Sequence, residues 1–332
     1  MDKKSFLVVG AGAWGTALSI QLANNGLVVS LTSNDKDNLK AIANTKENER
    51  YLPGIQLPDA IKIEHDYAGC IASSSSILVC VKSKYFLSTL QSLSTHMNPE
   101  QNLIWATKGL DSKNGRPLSE LVKQDFSKLK KTAVISGPSF AKDVAQGMPT
   151  AITLASENIE NLRDLAGLLT GRSFRVYTST DIIGVQLGGV FKNIIAIAVG
   201  ASDALGFGAN TRAALITRGL GEMKRIGLAF GARPETFFGL SGLGDLVLTS
   251  TDNQSRNRQL GLLVGSGLSL DAAVKKLGTT PEGVHAVKAI YKKGALQESL
   301  PIAKAVYSIL FEGVPAEGLV KQLMSRPIKE EH

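Results

Sequence analysis

Cysteine is nearly absent: Cys70 and Cys80 are the two thiols in 332 residues. That excludes a disulfide framework and leads us to expect reduced thiols in a cytoplasmic protein. Aromatic residues are scarce at 6%, and basic residues cluster no further than pairs such as Lys130-Lys131 and Lys292-Lys293. The net charge of +8 is spread evenly, with 20 basic against 16 acidic side chains through residue 180 and 17 against 13 after it. A nucleic-acid surface needs a clustered basic stripe, so no nucleic acid is expected as a partner. No stretch of ~20 residues is apolar without a charge inside it, so the chain is not expected to be membrane-embedded. Residues 1–19 begin like a signal peptide, with Lys3-Lys4 ahead of an apolar run, but three glycines at fixed spacing in that run have another explanation.

What the chain does have is length, apolar content and glycine. With 43% apolar and 20% charged residues it can build a sizeable core, and its length suggests two domains. Short continuous apolar runs at 5–10, 28–32, 77–81, 103–106, 133–135, 151–154 and 174–177 read as strands buried on both faces. Helical spacing fills the gaps at 14–25, 84–94, 117–124 and 158–169. This alternation predicts an α/β fold, a Rossmann-type doubly wound parallel sheet, over residues 1–180. After residue 180 the strand runs stop. Helical patterns at 182–200, 212–230, 256–265, 270–276, 283–293 and 302–311 predict an all-helical domain over 181–332. No linker separates the halves, so a tight interface is expected, with a cleft there as the natural ligand site.

The spaced glycines are Gly10, Gly12 and Gly15 in Gly10-Ala11-Gly12-Ala13-Trp14-Gly15. This G-x-G-x-x-G is weak alone but follows a predicted strand and opens a predicted helix, the context a dinucleotide pyrophosphate requires. Gly10 permits a tight turn, Gly12 leaves room for the phosphates at the helix N-terminus, and Gly15 lets the helix pack closely. The second strand ends at Thr32-Ser33-Asn34, where an NAD site usually carries a carboxylate for the ribose 2′-hydroxyl. Asp35 comes one residue later and Lys36 is the nearest cation. The missing carboxylate favours NADPH, with NADH possible.

Several polar clusters interrupt apolar sequence. Lys192 lies in a helical run, costly to bury unless its charge is paired, and Asn193 beside it points ~100° away. Lys108 follows the strand at 103–106, and Gly137 and Ser139 follow the strand at 133–135, at the strand ends where α/β folds bind ligands. Asp245 and Thr249 precede Ser255, Arg256 and Asn257, which open a helix suited to an anion. Together these imply a nicotinamide-dependent oxidoreductase acting on a small, phosphorylated carbonyl compound.

The stretches GAGAWGTALS (10–19), WATKGL (105–110), ISGPSFA (135–141), GVQLGGVFKNIIAIA (184–198), GFGANTRAALITRGL (206–220) and GLGDLVLTSTDNQSRNR (242–258) closely resemble the bacterial NAD(P)-dependent glycerol-3-phosphate dehydrogenases. The resemblance implies interconversion of sn-glycerol 3-phosphate and dihydroxyacetone phosphate in the cytoplasm, by a homodimer that supplies phospholipid synthesis. It implies Lys192 as the proton donor or acceptor at the C2 oxygen, Lys108 as a cation touching substrate and cofactor, and Asp245 as the group orienting Lys192. It places Gly137 and Ser139 along the substrate. Ser255, Arg256 and Asn257 fall on its phosphate, with Asn193 and Thr249 nearby. Ala13, Trp14, Ser33, Lys108, Ala141, Arg256, Thr280 and Glu282 fall on the dinucleotide. Ser33 stands where the family often carries a basic or polar ring, and Pro281 where it commonly carries an aliphatic. Two rivals are a β-hydroxyacid dehydrogenase, which also sets a lysine after paired glycines, and a nucleotide sensor without activity. Residues 253–258 and WATKGL argue against the first. Retention of Lys108, Lys192 and Asp245 together argues against the second.

Overall fold

A computed structural model describes residues 4–111, 113–292 and 300–318. They fall into two compact units: residues up to 108 together with 116–186, and residues 109–115 together with those from 187 on.

The first unit is built on one eight-stranded sheet. Its strands are β1 (Ser5–Val9), β2 (Val28–Thr32), β3 (Ile61–Ile63), β4 (Ser76–Val79), β5 (Asn102–Trp105), β6 (Thr132–Ser136), β7 (Thr150–Ala155) and β8 (Phe174–Ser179). They lie in the order β3-β2-β1-β4-β5-β6-β7-β8. Successive side chains of a strand face opposite ways, and here both faces are covered. Phe6, Val8, Leu78 and Ile104 pack with Leu18 and Leu22 of helix Ala13–Asn24 on one side. Leu7, Val9, Ile77, Val79 and Trp105 pack with Phe86 and Leu90 of helix Ser83–Ser94 on the other. That double burial is why the inner strands read as continuous apolar runs; the edge strand β8, expected to be buried on both faces, instead alternates, with Arg175 and Tyr177 exposed. Each apolar side chain removed from water contributes about 1.5–3 kcal/mol.

The sheet departs from the expected one in two further ways. β3 was not anticipated, since three residues with an exposed Lys62 give almost no apolar signal. And β7 runs antiparallel to β6 while all other neighbours pair parallel. The β6–β7 connection carries only a five-residue helix, Ala141–Ala145. Antiparallel neighbours need no long crossover, whereas parallel ones do.

Chain order runs outward from β1 to β3 on one side, then crosses to β4 on the other. The carboxyl ends of β1 and β4 therefore flank the switch point of the sheet, where doubly wound folds leave a crevice. Gly10 sits there with its N–H donating to the Thr32 carbonyl at 2.8 Å.

Among its described residues the second unit is helical. Its long helix Ile182–Ala204 begins in the first unit and has the length and hydropathy of a membrane span, but it is mostly buried inside the fold. Helix Gly208–Ala229 carries Glu222, a carboxylate only 1% exposed. It accepts hydrogen bonds from the backbone N–H of Ile302 at 2.6 Å and of Ala303 at 3.1 Å. These open helix Pro301–Phe311, whose first residue is proline and has no N–H to satisfy. Glu222→Ala orphans both donors, so we expect stability to fall by roughly 2–4 kcal/mol. A urea unfolding midpoint unchanged from the parent chain would show that the cap contributes nothing.

Candidate active site

In the first unit the glycine turn is shaped by close contact. Gly10 adopts φ +118°, and a Cβ there would lie 2.7 Å from the Cys80 carbonyl oxygen. A Cβ on Gly15 would lie 1.9 Å from the Gly10 carbonyl oxygen, so helix Ala13–Asn24 can sit this close to β1 only without a side chain there. Gly12 is the opposite case, with nothing within 4 Å of where a Cβ would be. Its space opens over the start of a twelve-residue helix that has no side-chain cap and no acidic residue in its first turn. Free N–H groups, the helix dipole and unfilled space together fit a pyrophosphate. Ala13 and Trp14 are half-buried at that helix start.

Two residues missed in the sequence support this end of the sheet. Buried Asn48 donates to the Ala11 carbonyl at 3.0 Å and to Thr16 Oγ1 at 2.7 Å, fixing the turn from a loop 37 residues away. Arg50 reaches Asp35 at 2.8 Å. Asp35 also caps helix Lys36–Thr45 by accepting from the Asn38 N–H at 3.1 Å. The carboxylate that follows β2 is thus engaged, and a guanidinium stands beside it. Ser33 Oγ accepts from the Asp35 N–H at 3.2 Å, while Lys36 is exposed. No local motif marks Asn48 or Arg50; only the return of the chain after helix Lys36–Thr45 brings them in.

At the carboxyl ends of β5 and β6, Lys108, Gly137 and Ser139 meet. The Gly137 carbonyl accepts from Lys108 Nζ at 3.4 Å and from Ser139 Oγ at 3.0 Å. Ala141 opens the short helix that follows. The cysteines take no part in a reactive cluster. Both are free, and burial is the main cause that pushes each thiol above its usual range, so neither is a ready nucleophile.

In the second unit, Lys192 projects from helix Ile182–Ala204 with 7% of its surface exposed. Its Nζ donates to Asp245 Oδ1, and to Thr249 Oγ1 at 2.8 Å. Asp245 is fully buried. A lysine in an apolar helix is tolerable here because its charge is paired and hydrogen-bonded. The chain makes a wide turn, Leu240–Gly244, to place Asp245 at the start of helix Asp245–Thr251. Gly188, one helical turn before Lys192, permits the approach, since a Cβ there would lie 2.3 Å from the Ser241 carbonyl oxygen.

Asn193 takes a different direction from Lys192, as the helical offset requires. Its Oδ1 accepts from Asn257 Nδ2 at 2.9 Å, and Asn257 Oδ1 accepts from the Gly283 N–H at 2.9 Å. These bonds knot together the helices carrying Lys192, Arg256 and Glu282. Thr280 and Glu282 are half-buried at the start of helix Glu282–Lys292. Ser255 is the N-cap of helix Arg256–Gly265, its Oγ accepting from the Arg258 N–H at 3.2 Å, and Arg256 is exposed at the first helical position. A capped N-terminus bearing an exposed guanidinium suits a phosphate.

Comparison with known proteins assigns both halves to one family. Residues 5–162 match the family model for the NAD-dependent glycerol-3-phosphate dehydrogenase N-terminus, and residues 181–321 match that for its C-terminus. The chain is 45% identical to the glycerol-3-phosphate dehydrogenase [NAD(P)+] of Pseudoalteromonas translucida strain TAC 125, over 98% of this chain and 97% of that one. It is also 45% identical to the protein of the same name from Escherichia coli strain K12 / DH10B, with the same coverage. The crystal structure of a glycerol-3-phosphate dehydrogenase from Coxiella burnetii superposes with a TM-score of 0.92 at 41% identity, covering 98% of this chain and 99% of that one. Two family models in succession and relatives covered over nearly their full length agree: the chain belongs to the NAD-dependent glycerol-3-phosphate dehydrogenase family.

Proposed function

We propose that the chain interconverts sn-glycerol 3-phosphate and dihydroxyacetone phosphate with NAD(P)H, residues 1–180 binding the dinucleotide and 181–332 the substrate. The observation that carries this reading is the buried Lys192, held by Asp245 and Thr249. It is a proton carrier fixed in orientation and shielded from water.

The open space over Gly12 and the uncapped helix start fit the pyrophosphate. Ala13, Trp14, Ser33, Ala141, Thr280 and Glu282 are the further dinucleotide contacts, with Arg256 also reaching it. When bound, the reduced dinucleotide supplies a hydride for C2 of the ketone. Lys192 gives a proton to the C2 oxygen as its negative charge develops, and takes it back in the oxidative direction. Asp245 and Thr249 keep the ammonium aimed. Lys108, anchored on the Gly137 carbonyl, adds positive charge for the alkoxide. Gly137 and Ser139 line the substrate. Arg256 grips the phosphate in a forked geometry at the helix start capped by Ser255. Binding energy at the phosphate thereby holds C2 in register for reaction. Asn257 and Asn193 support that helix through their mutual bond.

NADPH is the preferred reductant in this reading, with NADH also accepted. Asp35 is engaged by the helix cap and by Arg50, and that contact uses one of the guanidinium's five N–H donors, leaving others to hydrogen-bond a 2′-phosphate. The enzyme is a cytoplasmic homodimer whose product feeds phospholipid synthesis. The test is a substrate panel in the oxidative direction. sn-Glycerol 3-phosphate should reduce NADP+ at a rate at least ~100-fold above short hydroxyacids, because only it engages Arg256 through charge-assisted bonds. Equal or faster oxidation of a hydroxyacid would replace this reading with the β-hydroxyacid one.

A further inference from the structure

We propose that Arg258 and Asn253 form a positioning clamp for the phosphate-binding helix start, anchored on Asp203. The inference rests on the reading of Ser255 and Arg256 as the phosphate site.

Arg258 is the third residue of the helix, two after Arg256, and is 8% exposed. Its Nη2 contacts Asp203 Oδ2 at 2.6 Å, and its Nη1 donates to the side-chain oxygen of Asn253. Gln259 Nε2 takes hold of the same residue through the Asn253 carbonyl at 2.8 Å. The short loop leading into the helix is thus held from below at both the side chain and the backbone of Asn253, two residues before the Ser255 cap. Asp203 is itself fixed near the end of helix Ile182–Ala204, the helix that carries Lys192. Its Oδ1 accepts from Arg212 Nε and Nη2, each at 3.1 Å. One rigid helix therefore presents both the proton carrier and the base of the phosphate loop.

A surface loop that only had to begin a helix would not need this arrangement. The Ser255 cap already satisfies the helix start. Burying a second guanidinium against one carboxylate is costly, and Arg258 Nε has no hydrogen-bond partner among the described residues. The arrangement gives rigidity to the loop that precedes Arg256, and it places positive charge beneath a site for a dianion. Fixing that loop before the substrate arrives removes an ordering cost from binding. Arginine is required because its planar fork spans Asp203 and Asn253 together; a lysine ammonium keeps the charge without that span.

The test uses the full-length enzyme with dihydroxyacetone phosphate and NADPH. Asn253→Ala removes the loop end of the clamp from an exposed position and leaves the Arg258–Asp203 pair intact. Arg258→Lys keeps the charge and breaks the fork, while Asp203 retains Arg212. Arg256→Ala is run beside them. We expect each clamp variant to raise the KM for dihydroxyacetone phosphate roughly tenfold, with kcat and NADPH affinity within about twofold of the parent. The double variant should be no worse than the worse single one, because the two residues act as a unit. An unchanged KM in Asn253→Ala overturns the clamp. So does a loss of kcat and NADPH affinity in step with the rise in KM and a lowered melting temperature, which marks a purely structural role. If Arg256→Ala leaves the KM unaltered, the phosphate reading itself fails, a result distinct from failure of the clamp alone.

Discussion

Replacing Lys192 with methionine should lower kcat at least ~10³-fold while NADPH affinity stays within about twofold, because the proton at C2 then has no carrier. The same change should destabilise the fold. Asp245 is fully buried and its cation is Lys192; losing one partner of a buried pair costs about 3–5 kcal/mol. A second substitution separates the two effects. In Lys192→Met combined with Asp245→Asn the buried charge is gone, so most of the lost stability should return while turnover does not. Recovery of both together would mean that Lys192 serves packing rather than chemistry. A single variant that keeps most of its kcat would remove Lys192 from the mechanism.

Arg256→Ala should raise the KM for dihydroxyacetone phosphate about 10–100-fold, the loss expected for charge-assisted bonds to a phosphate. Arg256 is exposed and the Ser255 cap does not depend on its side chain, so the melting temperature should not move. Dihydroxyacetone without its phosphate is the control. With NADPH saturating, so that the contact of Arg256 with the dinucleotide is not limiting, its turnover should be insensitive to the substitution, since it offers the guanidinium no phosphate to hold. Equal loss with both compounds would show that Arg256 acts elsewhere.

Most of the sheet was legible because its strands other than β3 and β8 are largely apolar runs, and the inner runs are apolar because Leu7 and Val8, or Ile77 and Leu78, face opposite covered layers. The glycine turn was legible because its spacing is local and each missing Cβ has a steric reason. The antiparallel step at β7 left no mark in composition, since strand direction depends on connection length rather than on which residues the strand carries. Helix Asp245–Thr251 and the wide turn before it were equally silent, because their purpose is to aim Asp245 at a lysine 53 residues earlier. At the site, residue types could be read but partnerships could not. Asp35 stood one residue past the usual ribose position, and the structure engages it with Arg50 and the helix cap. Asn193 and Asn257 looked like phosphate neighbours, and the structure engages them with each other and with Gly283. Arg258 had no role of its own in the sequence, and its contacts with Asp203 and Asn253 give it one.

The most direct test of the account is to add dihydroxyacetone phosphate to the purified chain with NADPH and follow the near-ultraviolet absorbance of the reduced dinucleotide. The account predicts rapid loss of that absorbance with one sn-glycerol 3-phosphate formed per NADPH consumed, and slower loss with NADH. No dihydroxyacetone phosphate-dependent loss with either dinucleotide, from protein that binds NADPH and melts cooperatively, would contradict it.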